Sequence, residues 1–309
     1  MKTTISKIKS SVIITLILSL IIFSKTFAQN TYAKEKLCLW EVKNSETKVY
    51  ILGSIHLMPE NIYPLDERIN GAFSNSDILV VEADITKNQN EIQNLIAEKA
   101  IFQDSTKNLK NVLPNELYVK LTKEFKELDV DIKNLNKLKP WFVTMTLASL
   151  RLSKIDVTPG KGVDVHFLNL ANEKTMKILE LESVGSQLMM FSSMSITDQT
   201  ENLQYQIDEN NQNENYLKML EAWKKGDLKT LNEISRLKMK EDAKELNFLE
   251  RYYNMLFTER EEAMTEKIES YLNDDSGKTY FIIIGVFHLV GDDGLIKILQ
   301  KKGYKTNQY

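Results

Sequence analysis

Cysteine is almost missing from this chain. Cys38 is the only one among 309 residues, so no intramolecular disulfide can form and a small stapled scaffold is excluded. Structural zinc sites built on several thiolates are excluded with it. Histidine is nearly as scarce, with His56, His166 and His288 making up the full set. A basic excess is lacking too: the formal net charge is -3, a poor starting point for binding nucleic acid. Beyond the first 30 residues no segment is apolar enough to span a bilayer, and no long-period repeat is visible.

What is present begins with MKTTISKIKSSVIITLILSLIIFSKTFAQN. Lys2, Lys7 and Lys9 precede an apolar stretch from Val12 to Phe23, and small residues stand at both decisive positions of Thr26-Phe27-Ala28. This reads as a signal peptide over residues 1–28, followed by a single domain over 29–309 that is exported to the periplasm or secreted. An uncleaved signal retained as an anchor is the alternative, and the only membrane attachment expected. Cleavage removes four lysines and no carboxylate, which takes the net charge to about -7. Cys38, in KLCLWEV between Leu37 and Leu39, reads as a small buried hydrophobe.

Short branched runs alternating with long helical patterns predict an α/β fold, a central mixed β-sheet with flanking helices and large helical insertions. LCLWEV and KVYILGS read as a hairpin turning at Asn44-Ser45-Glu46; ERINGAFSNS reads as a helix leading to the strand DILVVEADI. Insertions are expected over about 89–155 and 193–272. The first contains helices starting at Pro114 and Pro140, and the second is polar, with QIDENNQNENY its least structured part. MKILELES and TYFIIIGV read as further strands, GLIKILQKKG as a helix stopped by Gly303, and YKT as a terminal strand.

Four of the strand runs end in a group able to ligate or to move a proton: His56 after VYILGSI, Glu82 after DILVV, Glu180 and Glu182 in MKILELES, and His288 after FIIIGVF. In open α/β sheets, sites gather beyond the carboxyl ends of strands, so these residues are expected to converge. Two imidazoles with carboxylates suit zinc, manganese, iron or cobalt. Each histidine stands three residues after a glycine, Gly53 or Gly285, where a missing Cβ lets a backbone or ligand approach closely. If the strands stay regular, Ser54 shares a face with His56 and orients its ring, Phe287 points to the core, and Glu180 cannot be separated from Glu182. His166 reads as structural, Asp164 as a helix cap that also faces the site, Gln187 as a neutral group able to orient a ligand, and Arg260 as a salt-bridge partner or a carbonyl polariser.

The segments LWEV, YILGSIHLMP, DILVVEADI, KPWF, KGVDVHFLNLANEK, ILELES with Gln187 after it, EAWKKGDL, TEREEAM and FIIIGVFHLVGDDGLIKILQKKGYK resemble the TraB/GumN family, whose metazoan relatives include the Tiki metalloproteases. The resemblance covers nearly the whole mature chain. It implies a divalent-metal-dependent protease acting on peptide or protein substrates, with His56, His288 and Glu82 as the essential set. It leaves open whether Glu82 is the third ligand or the general base. Glu182 is then the reserve carboxylate and Arg260 the group that stabilises a developing oxyanion. The family usually follows this arginine with asparagine, whereas this chain has Glu261. A metal-free histidine hydrolase of the erythromycin-esterase kind and a non-catalytic peptide- or signal-binding protein are the competing functions.

Overall fold

Strands form where branched and aromatic residues run together. The computed structural model describes residues 35–44, 47–158, 160–209 and 211–309. The leader over residues 1–28 and the Ser45-Glu46 corner of the first hairpin lie outside the described residues. Eight strands occur among the described residues: β1 (Leu39–Lys43), β2 (Lys48–Ser54), β3 (Met58–Pro59), β4 (Ile78–Val81), β5 (Val157–Thr158), β6 (Lys177–Glu180), β7 (Thr279–Gly285) and β8 (Lys305–Gln308).

Six of them form one sheet in the order β6-β4-β7-β2-β1-β8, while β3 and β5 pair separately. β1 and β2 make the expected antiparallel hairpin, with Leu39 opposite Leu52, and β8 adds antiparallel to β1. β2, β7, β4 and β6 all run parallel. The fold is therefore α/β with a mixed sheet. Parallel strands are covered on both faces, which is why β7 reads FIII and not as an alternation: Ile282, Ile283 and Ile284 are all buried.

The two faces can be told apart at Tyr280 and Phe281, whose side chains point oppositely. Phe281 packs with Phe73 and Phe167, ring centres 5.6 and 5.1 Å away, from helices Glu67–Ser74 and Val163–Glu173. Tyr280 stacks at 4.9 Å on Tyr271 of helix Glu259–Leu272, which covers the other face.

The helical stretches have their own apolar cluster. Leu117, Leu121 and Phe125 of helix Asn115–Glu127 meet Val143 and Leu147 of helix Pro140–Ser153 and Leu203 and Ile207 of helix Ile196–Asp208. Pro140 opens its helix at the first turn, while Pro114 stands one residue earlier, at the N-cap. The polar QIDENNQNENY stretch is mostly helical, broken between Asp208 and Gln212.

One contact sets where helix Val163–Glu173 begins. Val163 N–H donates to the Ile55 carbonyl at 3.2 Å, and a Cβ on Gly162 would stand 2.2 Å from the His56 carbonyl oxygen. Only glycine permits that approach. Gly162→Ala is therefore expected to lower unfolding free energy by about 2–3 kcal/mol, the usual scale of forced overpacking, read as a lower midpoint in urea at unchanged m-value. An unchanged midpoint would show that the loop yields without cost.

Candidate active site at the carboxyl edge of the sheet

Because β2, β4, β6 and β7 are parallel, their carboxyl ends finish at one edge. Ser54 pairs with Gly285, Val81 with Ile283 and with Glu180. His56, Glu82, Glu182 and His288 follow directly. The strands stop before the histidines, however. β2 ends at Ser54, and β7 gives way at Gly285 to a 3-10 turn over Val286–His288. Phe287, half-buried, packs against the core as expected and also lines a cavity. Two expectations that assumed regular strands are corrected. Ser54 does not orient His56, because its Oγ is buried and makes no hydrogen bond. Glu180 parts from Glu182, since β6 ends between them: Glu180 accepts from Asp84 N–H at 2.8 Å and pairs with Lys87, outside the site.

His56, Glu82 and His288 meet around Gly285. From the point where a Cβ on Gly285 would stand, Glu82 Oε1 lies at 3.2 Å, His288 Cδ2 at 3.6 Å and His56 Nε2 at 3.8 Å. Gly285 also donates its N–H to Glu82 Oε1 at 2.6 Å. Gly53 has a different use: its Cβ would stand 2.8 Å from Val286 Cγ2, so its absence lets the two motif segments close together.

Glu82 is 7% exposed and held on both oxygens. Arg260 donates to Oε2 at 2.7 Å and Gln187 to the same oxygen at 3.1 Å. Burial pushes the carboxyl pKa up, but the charges of His288, His56 and Arg260, helped by the Gly285 N–H, more than reverse this and hold it at about 2. Glu182 takes Arg260 as a fork, at 2.8 Å from Nε and 2.7 Å from Nη2. It serves here as the group that fixes Arg260.

Each histidine has a carboxylate partner. His56 Nδ1 lies 2.8 Å from Asp164 Oδ2, and His288 Nδ1 lies 2.9 Å from Glu261 Oε1. Desolvation by the surrounding walls lowers the His56 pKa, but the Asp164 bond and charge outweigh it and carry the ring to about 9, with water at its 59% exposed side chain screening the pair. Asp164 makes no side-chain cap, so its expected capping role is replaced by the histidine contact. His166 stands apart, its ring 4.6 Å from that of Tyr63, and burial lowers its pKa. Sequence reasoning missed both carboxylate partnerships; Glu261 was visible only as a departure from the usual family residue.

The donor types, two imidazoles and a carboxylate, are those a divalent ion takes. With both Nδ1 atoms turned to carboxylates, both Nε2 atoms are left for a ligand, as in carboxylate-histidine-metal arrangements. It is not a closed cage: among the described residues no group of three or more His, Cys, Asp and Glu is close enough to hold a metal. Arg260 and Gly285 occupy Glu82 instead.

Above these groups opens a cavity of about 310 Å³, walled by Leu57, Leu152, Met219, Leu256 and Phe287. The polar helical stretch supplies part of that wall and is tied down on the first motif: Trp223 Nε1 donates to the Gly53 carbonyl at 2.7 Å and Tyr216 Oη to the Leu57 carbonyl at 2.8 Å.

No solved structure matches the chain. The uncharacterized protein YbaP of Escherichia coli is 22% identical over 260 residues, covering 81% of this chain and 87% of that protein. A metalloprotease TIKI homolog of the sponge Amphimedon queenslandica is 24% identical, covering 92% of this chain but 62% of its own length. An uncharacterized Treponema pallidum protein is 24% identical over 162 residues, about half of each chain. The model of the TraB/PrgY/gumN family matches residues 38–308, from the first strand to the last, and the chain belongs to that family.

Proposed function

We propose that the chain is an exported, divalent-metal-dependent hydrolase that cuts peptides beside an apolar side chain. The observation that carries this reading is the convergence of His56 Nε2, Glu82 Oε1 and the His288 ring on Gly285, at the floor of an apolar cavity. Similarity to a metalloprotease homolog supports the reaction class. A bound divalent ion would supply Lewis-acid polarisation of a scissile carbonyl and would acidify water.

The remaining work falls to the chain's own residues. His56 and His288 present Nε2 atoms whose rings Asp164 and Glu261 orient. Glu82, kept ionised by the positive groups around it, is the carboxylate of the set, as third ligand or as general base. Arg260, held by Glu182, offers positive charge to an oxygen that becomes negative during attack. The cavity sits at the small end of the ~300–1,000 Å³ usual for ligand pockets, room for one or two residues of an extended peptide.

One observation favours a second reading. Arg260 and the Gly285 N–H already satisfy Glu82, and the His56-Asp164 pair resembles a metal-free general base with its orienting carboxylate. Chelation separates the two: the metal reading expects peptide hydrolysis to stop and to return on adding manganese, cobalt or zinc, whereas the dyad reading expects no change.

Elemental analysis of residues 29–309 after dialysis against each of those metals is expected to find near-stoichiometric metal, lost in the His56→Ala, His288→Ala double variant. Metal retained by that variant would rule the assignment out. Met219→Trp, which fills the apolar wall, is expected to lower kcat/KM for peptides with Leu or Phe at the cleaved bond by about 10-fold or more, on the ~1–3 kcal/mol scale of a lost apolar contact. Alanine peptides should be affected less; an equal loss for both would locate side-chain selection elsewhere.

A further inference from the structure

The two motif histidines are held differently. His56 leans on Asp164 alone and is largely exposed, while His288 is 5% exposed and backed by an ion pair that no motif announces. Glu261 Oε1 faces His288 Nδ1 and also accepts from the Arg236 guanidinium. Glu261 is 2% exposed and Arg236 1%. A carboxylate oxygen that already accepts from a guanidinium has nothing to donate, so the proton of this contact sits on His288 Nδ1, and Nε2 is the ring nitrogen left clear of the ion pair.

Arg236 fixes the same turn a second time, through the backbone. Its Nε donates to the Phe287 carbonyl at 2.8 Å, within the 3-10 turn that carries His288. Nη1 reaches Tyr253 Oη at 3.0 Å and lies 3.3 Å from Asp293, and the guanidinium packs 4.4 Å from the centre of the Phe257 ring. That ring in turn meets His288 edge-on at 5.4 Å. Arg236 and Phe257 both come from π-helical turns, Glu233–Leu237 and Asn254–Thr258, in the polar helical stretch. Such turns are rare and re-aim the side chains they carry.

We propose that Glu261, backed by Arg236, is the positioning residue of His288: it accepts the Nδ1 proton and so fixes the ring with its other nitrogen available to the cavity that His288 lines. The inference deepens the metal-dependent reading and rests on it for its consequence, though not for its geometry. It gives the polar helical stretch a task besides walling the cavity. Asparagine at this position would be one methylene shorter and would withdraw the acceptor from the ring.

The test uses the chain over residues 29–309 with Glu261→Met, Glu261→Asn and Glu261→Gln. Imidazole nitrogen NMR of the metal-free protein, simple to assign with three histidines, is expected to find His288 as the Nδ1–H tautomer in the wild type. Met, which removes the acceptor, and Asn, which draws it back by one methylene, should shift it toward the Nε2–H form; Gln, which keeps a carbonyl at the same reach, should largely restore the wild-type signal. Manganese dissociation constants should rise about 10- to 100-fold for Met and Asn and clearly less for Gln. A wild-type tautomer and affinity in the Met variant, or in the Asn variant if Met does not fold, would overturn the proposal. Should the wild type bind no manganese, the metal reading falls, while the tautomer comparison still decides the role of Glu261.

Discussion

The level ending of four parallel strands is the constraint on which the rest of this molecule depends. β7 is central, with β2 on one side and β4 on the other, and the pairing runs without slip from Lys48 opposite Thr279 to Ser54 opposite Gly285. In a sheet the side-chain period is two, so a slip of one residue would turn every apolar residue of FIII to the wrong face. The buried aromatic and branched side chains on both faces make such a slip costly. The register therefore follows from core packing, and the place of His56, Glu82 and His288 follows from the register.

Given that edge, the electrostatics are arranged around one buried negative charge. Glu82 is surrounded by Arg260, the two imidazoles, the Gln187 amide and a backbone N–H, which together outweigh the upward push of burial on its pKa. Arg260 and the two imidazoles each have a further carboxylate behind them: Glu182 behind Arg260, Asp164 behind His56, Glu261 behind His288. The pattern alternates sign outward from Glu82. Low-dielectric sites tolerate several charges only when each is paired and hydrogen-bonded, and here the pairing also aims the rings and the guanidinium. With the rings so held, His56 Nε2 and the edge of the His288 ring both stand beside Gly285, under the apolar cavity.

The helical additions turn an open sheet edge into a walled site. Trp223 and Tyr216 dock on the backbone of the first motif, at Gly53 and Leu57, and Arg236 docks on the backbone of the second, at Phe287. The same stretch supplies Met219, Leu256 and Phe257 to the cavity and Arg260 and Glu261 to the polar floor. Its polar sequence reflects a surface exposed to water on one side and a site on the other, so no long apolar run was needed to keep it folded against the sheet.

Much of this was determined by the sequence alone. Apolar runs of branched residues specified the strands, the strand-helix order specified an α/β fold, and two Gly-x-x-His segments with Glu82 between them specified which residues would meet, because local pattern and the carboxyl-end rule suffice for that. The sequence also exposed Glu261 as unusual without saying why. Tertiary structure alone decided what backs each reactive group. Asp164 lies 108 residues from His56, and Glu261 lies 27 residues from His288 on another element, so no spacing rule relates them. It decided between Glu180 and Glu182 as well, since period-two reasoning holds only while a strand lasts, and β6 stops between the two. Ser54 was misread for a related reason: the chain leaves β geometry just before each histidine, so period-two reasoning does not carry from Ser54 to His56.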